Sequence, residues 1–314
     1  MKKVLITGGA GYLGSILSRK LLDLGYSVTV YDNLMYKQLS LVDICHYPNF
    51  EFIMGDVRDE ESLLSYLKET DVIFPLAAIV GFPACDKDKK LATEVNYEQV
   101  KFIVENMTTE QKIIYPNSNS GYGVGDDGIH CTEESPLNPV SHYGKTKVDA
   151  ESAIIKSGNG IALRLATVFG TSPRMRLDLL VNEFVYKAIT DTYITVFEKD
   201  FKRNYIHIQD VISAFVFMLE NYEKYNGEMF NVGLSDSNLN KEELVYKIKK
   251  FIPHFDINFS DFYSDPDKRN YIVSNDKIEA TGWSPKYSLD DGIRELIKAY
   301  KIIINNDYSR FRNT

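Results

Sequence analysis

The chain has 314 residues, 44% hydrophobic and 25% charged, and its 44 acidic against 36 basic residues give a formal net charge of -8. This composition is typical of a globular protein with one large domain or a domain and a smaller lobe, and the acidic balance argues against a nucleic-acid partner. No apolar run approaches the ~20 residues of a membrane span, and three scattered cysteines and five histidines without ligand spacing lead us to expect a cytoplasmic protein that binds neither membrane nor metal.

The first predicted elements are a strand, a glycine-rich turn and a helix. Residues 2–7 form a short apolar run of strand type, and leucines at helical spacing follow until Gly25 ends the helix. The glycines between them match G-x-G-x-x-G and the overlapping G-x-x-G-x-x-G, which bring backbone N–H groups to a pyrophosphate at a helix N-terminus. A glycine turn that only packs the helix on the strand is the alternative. The residues expected to contact a dinucleotide are Gly8, Gly11, Tyr12, Leu13 and Gly14.

A second strand, residues 27–31, ends at Asp32 and Asn33. A carboxylate ~20 residues past the glycines suits the adenosine ribose and repels a 2′-phosphate, so NAD is favoured over NADP. Lys37 weakens this preference, because a nearby cation could accept the additional phosphate. An aspartate that only caps the following loop is the other interpretation of Asp32.

A third predicted strand, residues 50–54, leads to Asp56 and Val57. We expect Asp56 to accept a hydrogen bond from the adenine amine and Val57 to lie against the adenine ring. Asp59 is a candidate N-cap for the next helix, residues 60–68. Asp56 can contact the adenine while Asp59 caps the helix, so the two interpretations are compatible.

Strand and helix continue to alternate over the first half of the chain. The predicted strands are 71–75, 112–116 and 160–165, and the predicted helices are 88–106, which carries Asn96, and 141–157. The small residues after the strand at 71–75, namely Leu76, Ala77 and Ala78, would let a cofactor lie against the backbone. This alternation predicts a doubly wound parallel sheet with helices on both faces, and therefore an α/β fold.

The regular alternation stops after Gly170. Helices are predicted at 177–190, 209–221, 240–251 and 289–304, with short strands at 193–197, 204–208, 228–232 and 256–259. We therefore predict a nucleotide-binding domain at 1–170 and a smaller α/β substrate lobe at 171–314, some of whose segments return to the first domain. The polar tail from Asn305 is expected to fray.

Tyr143 and Lys147 lie four residues apart on a predicted helix and therefore share one face. A phenol titrates near ~10, but an ammonium one turn away and a positive nicotinamide stabilise the phenolate. Lowering that pKa by about 3 units corresponds to roughly 4 kcal/mol and would make Tyr143 a general base. Ser118, just past the fifth strand, would orient the same substrate hydroxyl. The combination predicts oxidation of an alcohol, with hydride passing to NAD.

These motifs resemble the extended short-chain dehydrogenase/reductase family, in its branch of enzymes that modify nucleotide sugars. The resemblance runs from Met1 to about Tyr300 and includes the glycine turn, Asn96, Ser118, the Tyr143–Lys147 pair and, in the second lobe, residues 230–233. Asn96, Tyr143 and Lys147 are accordingly expected to contact the cofactor. The resemblance implies a Rossmann-type domain with bound NAD, a nucleotide-sugar substrate in the smaller lobe, and a homodimer formed through two helices of each subunit.

The resemblance also implies substrate-binding residues. Guanidinium groups suit phosphate, and the arginines stand where the family binds a diphosphate, although any one of them could instead form a surface salt bridge. The residues expected to contact the substrate are Asn119, Ser120, Arg174, Arg176, Asn182, Arg203 and Arg269.

Members of the family differ in the step that comes after the oxidation. The 4,6-dehydratases carry Thr-Asp-Glu where this chain has residues 118–120, Ser-Asn-Ser, and the decarboxylases keep a glutamate in place of Ser120. Both reactions need such acid/base groups, so simple C4 chemistry remains. Four stretches together resemble the GDP-D-glycero-α-D-manno-heptose 4-dehydrogenases of capsule biosynthesis: 117–123, 172–182, 201–205 and 265–271. This resemblance makes C4 oxidation of a GDP-heptose the first hypothesis. A nucleotide-sugar C4-epimerase is the second, and a non-catalytic NAD-binding protein is the third.

Overall fold

The computed structural model describes residues 1–126, 128–260 and 269–304. Its strands, in chain order, are β1 (Lys3–Thr7), β2 (Ser27–Asp32), β3 (Phe50–Met54), β4 (Val72–Pro75), β5 (Lys112–Ser118), β6 (His130–Cys131), β7 (Ile161–Leu165), β8 (Thr167–Phe169), β9 (Tyr193–Phe197), β10 (Lys202–His207), β11 (Met229–Val232), β12 (Asn238–Asn240), β13 (Asp256–Ser260) and β14 (Ile272–Val273).

The helices alternate with these strands in the first half of the chain and cover the sheet. They are α1 (Gly14–Asp23), α2 (Glu60–Leu67), α3 (Phe82–Lys87), α4 (Lys89–Thr93), α5 (Gln99–Asn106), α6 (His142–Lys156), α7 (Leu180–Thr190), α8 (Ile208–Glu220), α9 (Tyr222–Tyr225), α10 (Lys241–Lys249), α11 (Asp276–Glu279) and α12 (Leu289–Ile303). None of the helices in the described ranges combines the length and the apolar character needed to cross a membrane.

A seven-stranded parallel sheet forms the centre of the molecule, in the order β11-β7-β5-β4-β1-β2-β3. The predicted doubly wound α/β fold is therefore confirmed. Apolar side chains fill both faces of the sheet: Leu17 and Phe215 belong to the cluster on one face, and Leu63 and Ile154 belong to the other. The strands are buried on both faces, which explains their continuous apolar sequences.

The second half of the chain does not stay in the second lobe. Strand β11 pairs in parallel with β7, with Phe230 opposite Leu163, and α8 packs against α1 and β5. The lobe itself contains the sheets β12-β10-β8 and β13-β9. The chain thus crosses between the two units after residue 171, and the division at residue 170 stays a prediction.

One predicted helix is divided in the structure. The expected helix 88–106 becomes α4, a π-type turn at Glu94–Glu98, and α5, and the unpredicted α3 precedes them. Asp88 separates α3 from α4, because its side chain accepts a hydrogen bond from the backbone N–H of Leu91 and caps the new helix. Pro83 stands in the first turn of α3, where its missing N–H costs no hydrogen bond.

Candidate active site

The carboxyl ends of the central strands open into a cavity of about 810 Å³ between the sheet and the second lobe. Ligands bind at this edge in open parallel sheets, and the volume lies within the ~300–1,000 Å³ of typical ligand sites. The glycine turn and the end of β2 line one part of the cavity. Side chains from β5 and α6 line the middle, and arginines of the second lobe line the far part.

The glycine turn is shaped by contacts that exclude side chains. A Cβ at Gly8 would lie 2.6 Å from the backbone of Ala77, and one at Gly14 would lie 2.6 Å from Gly8 O. Gly11 is different, since its Cβ would meet only Gly8 O, at 3.0 Å, and would otherwise project into the cavity. Gly11 to Gly14 line the cavity, so the N-terminus of α1 opens on it. This geometry fits the pyrophosphate of a dinucleotide.

Tyr12 connects the glycine turn to the second lobe. Its hydroxyl donates a hydrogen bond of 2.7 Å to Gly170 O, and burial raises its pKa, so it stays a phenol. Leu13 lines the cavity beside it. The five residues predicted to contact the cofactor from this turn therefore lie together at the cavity wall.

Asp32 lies at the cavity wall at the end of β2, with one carboxylate oxygen accepting from Ala10 N at 3.0 Å and the other from Leu34 N at 2.8 Å. Burial raises its pKa. Asp32 therefore fixes the loop after β2, as the second interpretation expects, while its contact with the adenosine ribose stays a prediction. Asn33 is close by and donates to Asp56 at 3.2 Å.

Asp56 is held by Arg58, a residue that the sequence reasoning did not single out. The guanidinium donates to both carboxylate oxygens at 2.9 Å, which lowers the pKa of Asp56 to about 2. Asp56, Val57 and Arg58 all line the cavity. Asp59 caps α2 by accepting from Ser62 N at 3.1 Å, as predicted.

Leu76, Ala77 and Ala78 also line the cavity, but Asn96 does not. The Asn96 amide is 1% exposed, accepts from Ile79 N at 2.8 Å, and donates to Ile79 O at 3.0 Å and to Thr146 at 3.2 Å. These hydrogen bonds hold the segment after β4 against α6. The contact of Asn96 with the cofactor stays a prediction.

Ser118, Tyr143 and Lys147 line the middle of the cavity together. The second and third lie on the first turns of α6, whose N-cap Ser141 accepts from Gly144 N at 3.1 Å. Burial raises the pKa of Tyr143 to about 12, and Arg269, Arg176 and Ser118 oppose this rise. Burial lowers the pKa of Lys147 to about 7, although Glu151 opposes that change. The residues predicted to carry the chemistry therefore converge on one place.

A buried ion pair fixes the base of this site. Arg164 on β7 donates to Glu151 on α6 at 2.6 Å, and the two side chains are 3% and 5% exposed. Asn117, next to Ser118, donates to the other oxygen of Glu151 at 2.5 Å. The network joins β5, β7 and α6, two of which carry the three candidate catalytic residues.

The second lobe supplies cations. Arg174, Arg176, Arg203 and Arg269 all line the cavity, as predicted, and Lys241 joins them. A substrate diphosphate would be attracted to such a group of guanidinium and ammonium groups. Lys241 is the first residue of α10, directly after the N-cap Asn240. Nothing in that local pattern indicates a contact with a distant cavity.

Two of these arginines stack on aromatic rings. The Arg203 guanidinium lies 5.6 Å from the Tyr271 ring centroid, and the Arg174 guanidinium lies 5.1 Å from that of Tyr36. Tyr36 belongs to the loop after β2, so this contact joins the cofactor side of the cavity to the second lobe. Sequence reasoning missed both tyrosines, because an isolated aromatic residue in a loop has no pattern.

Arg176 is held by a bidentate ion pair with Asp178, through contacts of 3.2 and 2.5 Å. The contact of Asn182 with the substrate stays a prediction. Asn182 is buried, accepts from Gly170 N at 3.1 Å and donates to Arg176 O at 2.8 Å. It positions the backbone that carries Arg176, because its amide faces the protein interior.

Asn119 and Ser120 are buried in a 3₁₀ turn and are not among the described residues that line the cavity. Their side-chain polar atoms find no hydrogen-bond partner within the described ranges. Their contact with the substrate stays a prediction. Residues 265–268, next to Arg269, and the tail from residue 305 lie outside the described residues.

Comparisons with known proteins agree with this geometry. The model of the NAD dependent epimerase/dehydratase family matches residues 4–233. The low-salt glycan biosynthesis protein Agl12 of Haloferax volcanii is 28% identical, over 95% of this chain and 98% of its own. The UDP-glucose 4-epimerase of Lactobacillus helveticus is also 28% identical, over 95% and 97%. The crystal structure of the UDP-glucuronic acid 4-epimerase of Bacillus cereus, in complex with UDP-glucuronic acid and NAD, matches with a TM-score of 0.83 and 26% identity, covering 96% of this chain and 99% of that one.

Proposed function

The chain belongs to the NAD dependent epimerase/dehydratase family, and on that premise we propose that it oxidises the C4 hydroxyl of a nucleotide sugar. Its cofactor is NAD, as the glycine turn and Asp32 predict. The observation that carries the proposal is the convergence of Ser118, Tyr143 and Lys147 in one cavity, between the glycine turn and the arginines of the second lobe. The homodimer implied by the resemblance stays a prediction, which light scattering would test.

The chain's own residues account for the proton transfer. Tyr143 accepts the proton of the sugar hydroxyl, Ser118 orients that hydroxyl, and Lys147 stabilises the phenolate of Tyr143 through its ammonium group. The bound nicotinamide supplies the acceptor for the hydride. Burial raises the pKa of Tyr143 to about 12 even with Arg269 and Arg176 opposing the rise, so the phenolate requires further positive charge beside it.

The carboxylates of the cavity argue against loss of water after the oxidation. Elimination needs an acid and a base beside the sugar carbons. Positions 119 and 120 carry Asn and Ser. In the part of the chain that the structure describes, the cavity carboxylates lie at the end of β2, after β3, or in ion pairs; they are Asp32, Asp56, Asp178 and Glu183.

Two outcomes of the oxidation are proposed. The relatives favour a 4-epimerase, in which the hydride returns to the other face of the sugar, because the Lactobacillus helveticus and Bacillus cereus proteins are both named as 4-epimerases. The resemblance of residues 172–182 favours a 4-dehydrogenase of GDP-D-glycero-α-D-manno-heptose that releases the 4-keto sugar. Arg174 and Arg176 of this segment line the cavity, which supports a role in substrate binding for either enzyme.

Mass spectrometry and NMR would separate these outcomes. The NAD-loaded protein is incubated with UDP-glucose, UDP-glucuronate or the GDP-heptose. A product lighter by two hydrogens supports the dehydrogenase, and an isobaric product with an altered C4 signal supports the epimerase. A product that has lost water would contradict the assignment of C4 chemistry without elimination.

The role of Tyr143 has its own test. Tyr143→Phe keeps the ring but removes the base, so turnover should fall by ~10²–10⁴ while NAD still binds. Tyr193→Phe is the matched control, because Tyr193 is 60% exposed and does not line the cavity. Activity of Tyr143→Phe close to that of the control would exclude Tyr143 as the base.

A further inference from the structure

Lys147 is buried more deeply than its charge would favour. The residue is 4% exposed, and within the described ranges its ammonium nitrogen forms no hydrogen bond or ion pair with a protein group. Next to it lies an aromatic face: Nζ stands 4.0 Å from the centroid of the Tyr115 ring. Tyr115 is on β5, three residues before Ser118, and is 1% exposed.

The charged and titratable groups around Lys147 give it little other support. Glu151, on the same helix, favours the ammonium, but Arg164 and Asn117 occupy its oxygens. A carboxylate paired with a guanidinium attracts a second cation weakly, because the two charges largely cancel. Cys85 on α3 also acts on Lys147 and would favour the ammonium only as a thiolate, whereas burial raises the pKa of that thiol to about 11. Tyr143 is the partner that Lys147 is expected to stabilise.

We propose that Tyr115 is a positioning residue whose ring face holds Lys147 as an ammonium, one helical turn along α6 from Tyr143. The negative face of an aromatic ring attracts a cation, and the attraction is strongest where water is excluded. Here the ammonium lies over the ring face, and both the ring and the lysine are buried. The catalytic meaning of this contact depends on the proposed function, because only a protonated lysine can stabilise the phenolate of Tyr143.

The hydroxyl of Tyr115 is not required for this role. It is buried and finds no hydrogen-bond partner among the described residues. Its removal therefore breaks no described bond, and a phenylalanine would present the same ring to Lys147. This makes Tyr115→Phe the conservative variant, while Tyr115→Leu removes the ring and keeps an apolar side chain.

The direct measurement is the pKa of Lys147 itself. The NAD-loaded protein is prepared with ¹³Cε-labelled lysine, and the Lys147 resonance is assigned by its loss in Lys147→Met. We expect Tyr115→Phe to retain the wild-type pKa and Tyr115→Leu to lower it by about one unit. No substrate is needed, so this result stands whether or not the proposed function is correct.

A series of fluorinated phenylalanines at position 115 distinguishes electrostatics from packing. Fluorine withdraws electron density from the ring face but changes its shape little, so the Lys147 pKa should fall stepwise with each added fluorine. The alkaline limb of the kcat profile should move to lower pH in the same order. An unchanged Lys147 pKa along the fluorinated series overturns the proposal. This test remains valid even if Tyr115→Leu does not fold, because the fluorinated rings keep the shape of the wild-type core. A change in the lysine pKa without measurable turnover would contradict the proposed function instead.

Discussion

The ion pair between Glu151 and Arg164 allows a quantitative prediction about the base of the site. Its side chains are 5% and 3% exposed, and Glu151 accepts from Arg164 Nη2 at 2.6 Å and Nε at 3.0 Å, as well as from Asn117. Glu151→Leu leaves a buried guanidinium without its anion. Removing one partner of such a pair costs about 3–5 kcal/mol.

This free energy converts into a melting temperature. An unfolding entropy of about 2.1 cal/mol/K per residue gives roughly 0.66 kcal/mol/K for the 314 residues. Glu151→Leu should therefore lower the Tm by about 5–8 °C, measured by calorimetry at fixed protein and NAD concentrations. The double variant Glu151→Leu/Arg164→Met should lower the Tm less than the single one, because no charge then remains buried.

The control is an ion pair at the surface. Lys3 and Glu69 are 3.3 Å apart, with side chains 57% and 76% exposed. Lys3→Met should cost less than about 1 kcal/mol, which corresponds to under about 2 °C. Two results would refute the explanation that a buried, unpaired Arg164 destabilises the Glu151→Leu variant. One is a fall in Tm no larger than that of Lys3→Met, and the other is a double variant less stable than Glu151→Leu.

Three further predictions concern the cofactor, the lysine and the substrate. Gly14→Ala places a Cβ 2.6 Å from Gly8 O and should weaken NAD binding by at least ~10-fold, measured by calorimetry. Gly25→Ala is the control, because open space surrounds Gly25, so it should lower the stability of the protein and leave NAD affinity unchanged. Equal NAD affinities of the two variants would contradict the role of Gly14. In the cofactor-free protein, burial lowers the Lys147 pKa to about 7 from 10.5, so its charge destabilises the fold below pH 7 and the penalty disappears as the pH rises towards 10.5. Lys147→Met should accordingly raise the Tm most at low pH, and a pH-independent difference would exclude this explanation. Arg203→Gln should raise the Kd of a nucleoside diphosphate by ~10–100-fold while NAD affinity stays constant, and a parallel loss of NAD affinity would show that Arg203 does not act on the substrate alone.

Several features follow from local sequence alone. The spacing of Gly8, Gly11 and Gly14 after a strand and before a helix predicts a phosphate-binding turn, because the whole pattern lies within one short segment. Tyr143 and Lys147 share a helix face because four residues make about one turn. The alternation of strands and helices predicts the parallel sheet, because two neighbouring parallel strands must be joined by a crossover connection, which is usually a helix.

Other features depend on contacts between distant segments. The Asn96 amide is hydrogen-bonded to Ile79, and the Asn182 amide to Gly170 and Arg176, so both side chains hold distant backbone in position. No local pattern shows which partner an asparagine will find. Strand β11 joins the central sheet although the chain has already left that domain, because its apolar residues need burial on both faces.

The candidate active site combines one feature that follows from local sequence with one that depends on tertiary packing. The sequence by itself determined that Tyr143 and Lys147 lie on one face of a helix, since one helical turn separates them. Only the tertiary structure decided what lies beneath the lysine, because Tyr115 is 32 positions away along the chain and reaches Lys147 when β5 and α6 pack together. Periodicity describes the neighbours of a residue on its own element, and the electrostatic environment of a buried charge is set by the elements packed against it.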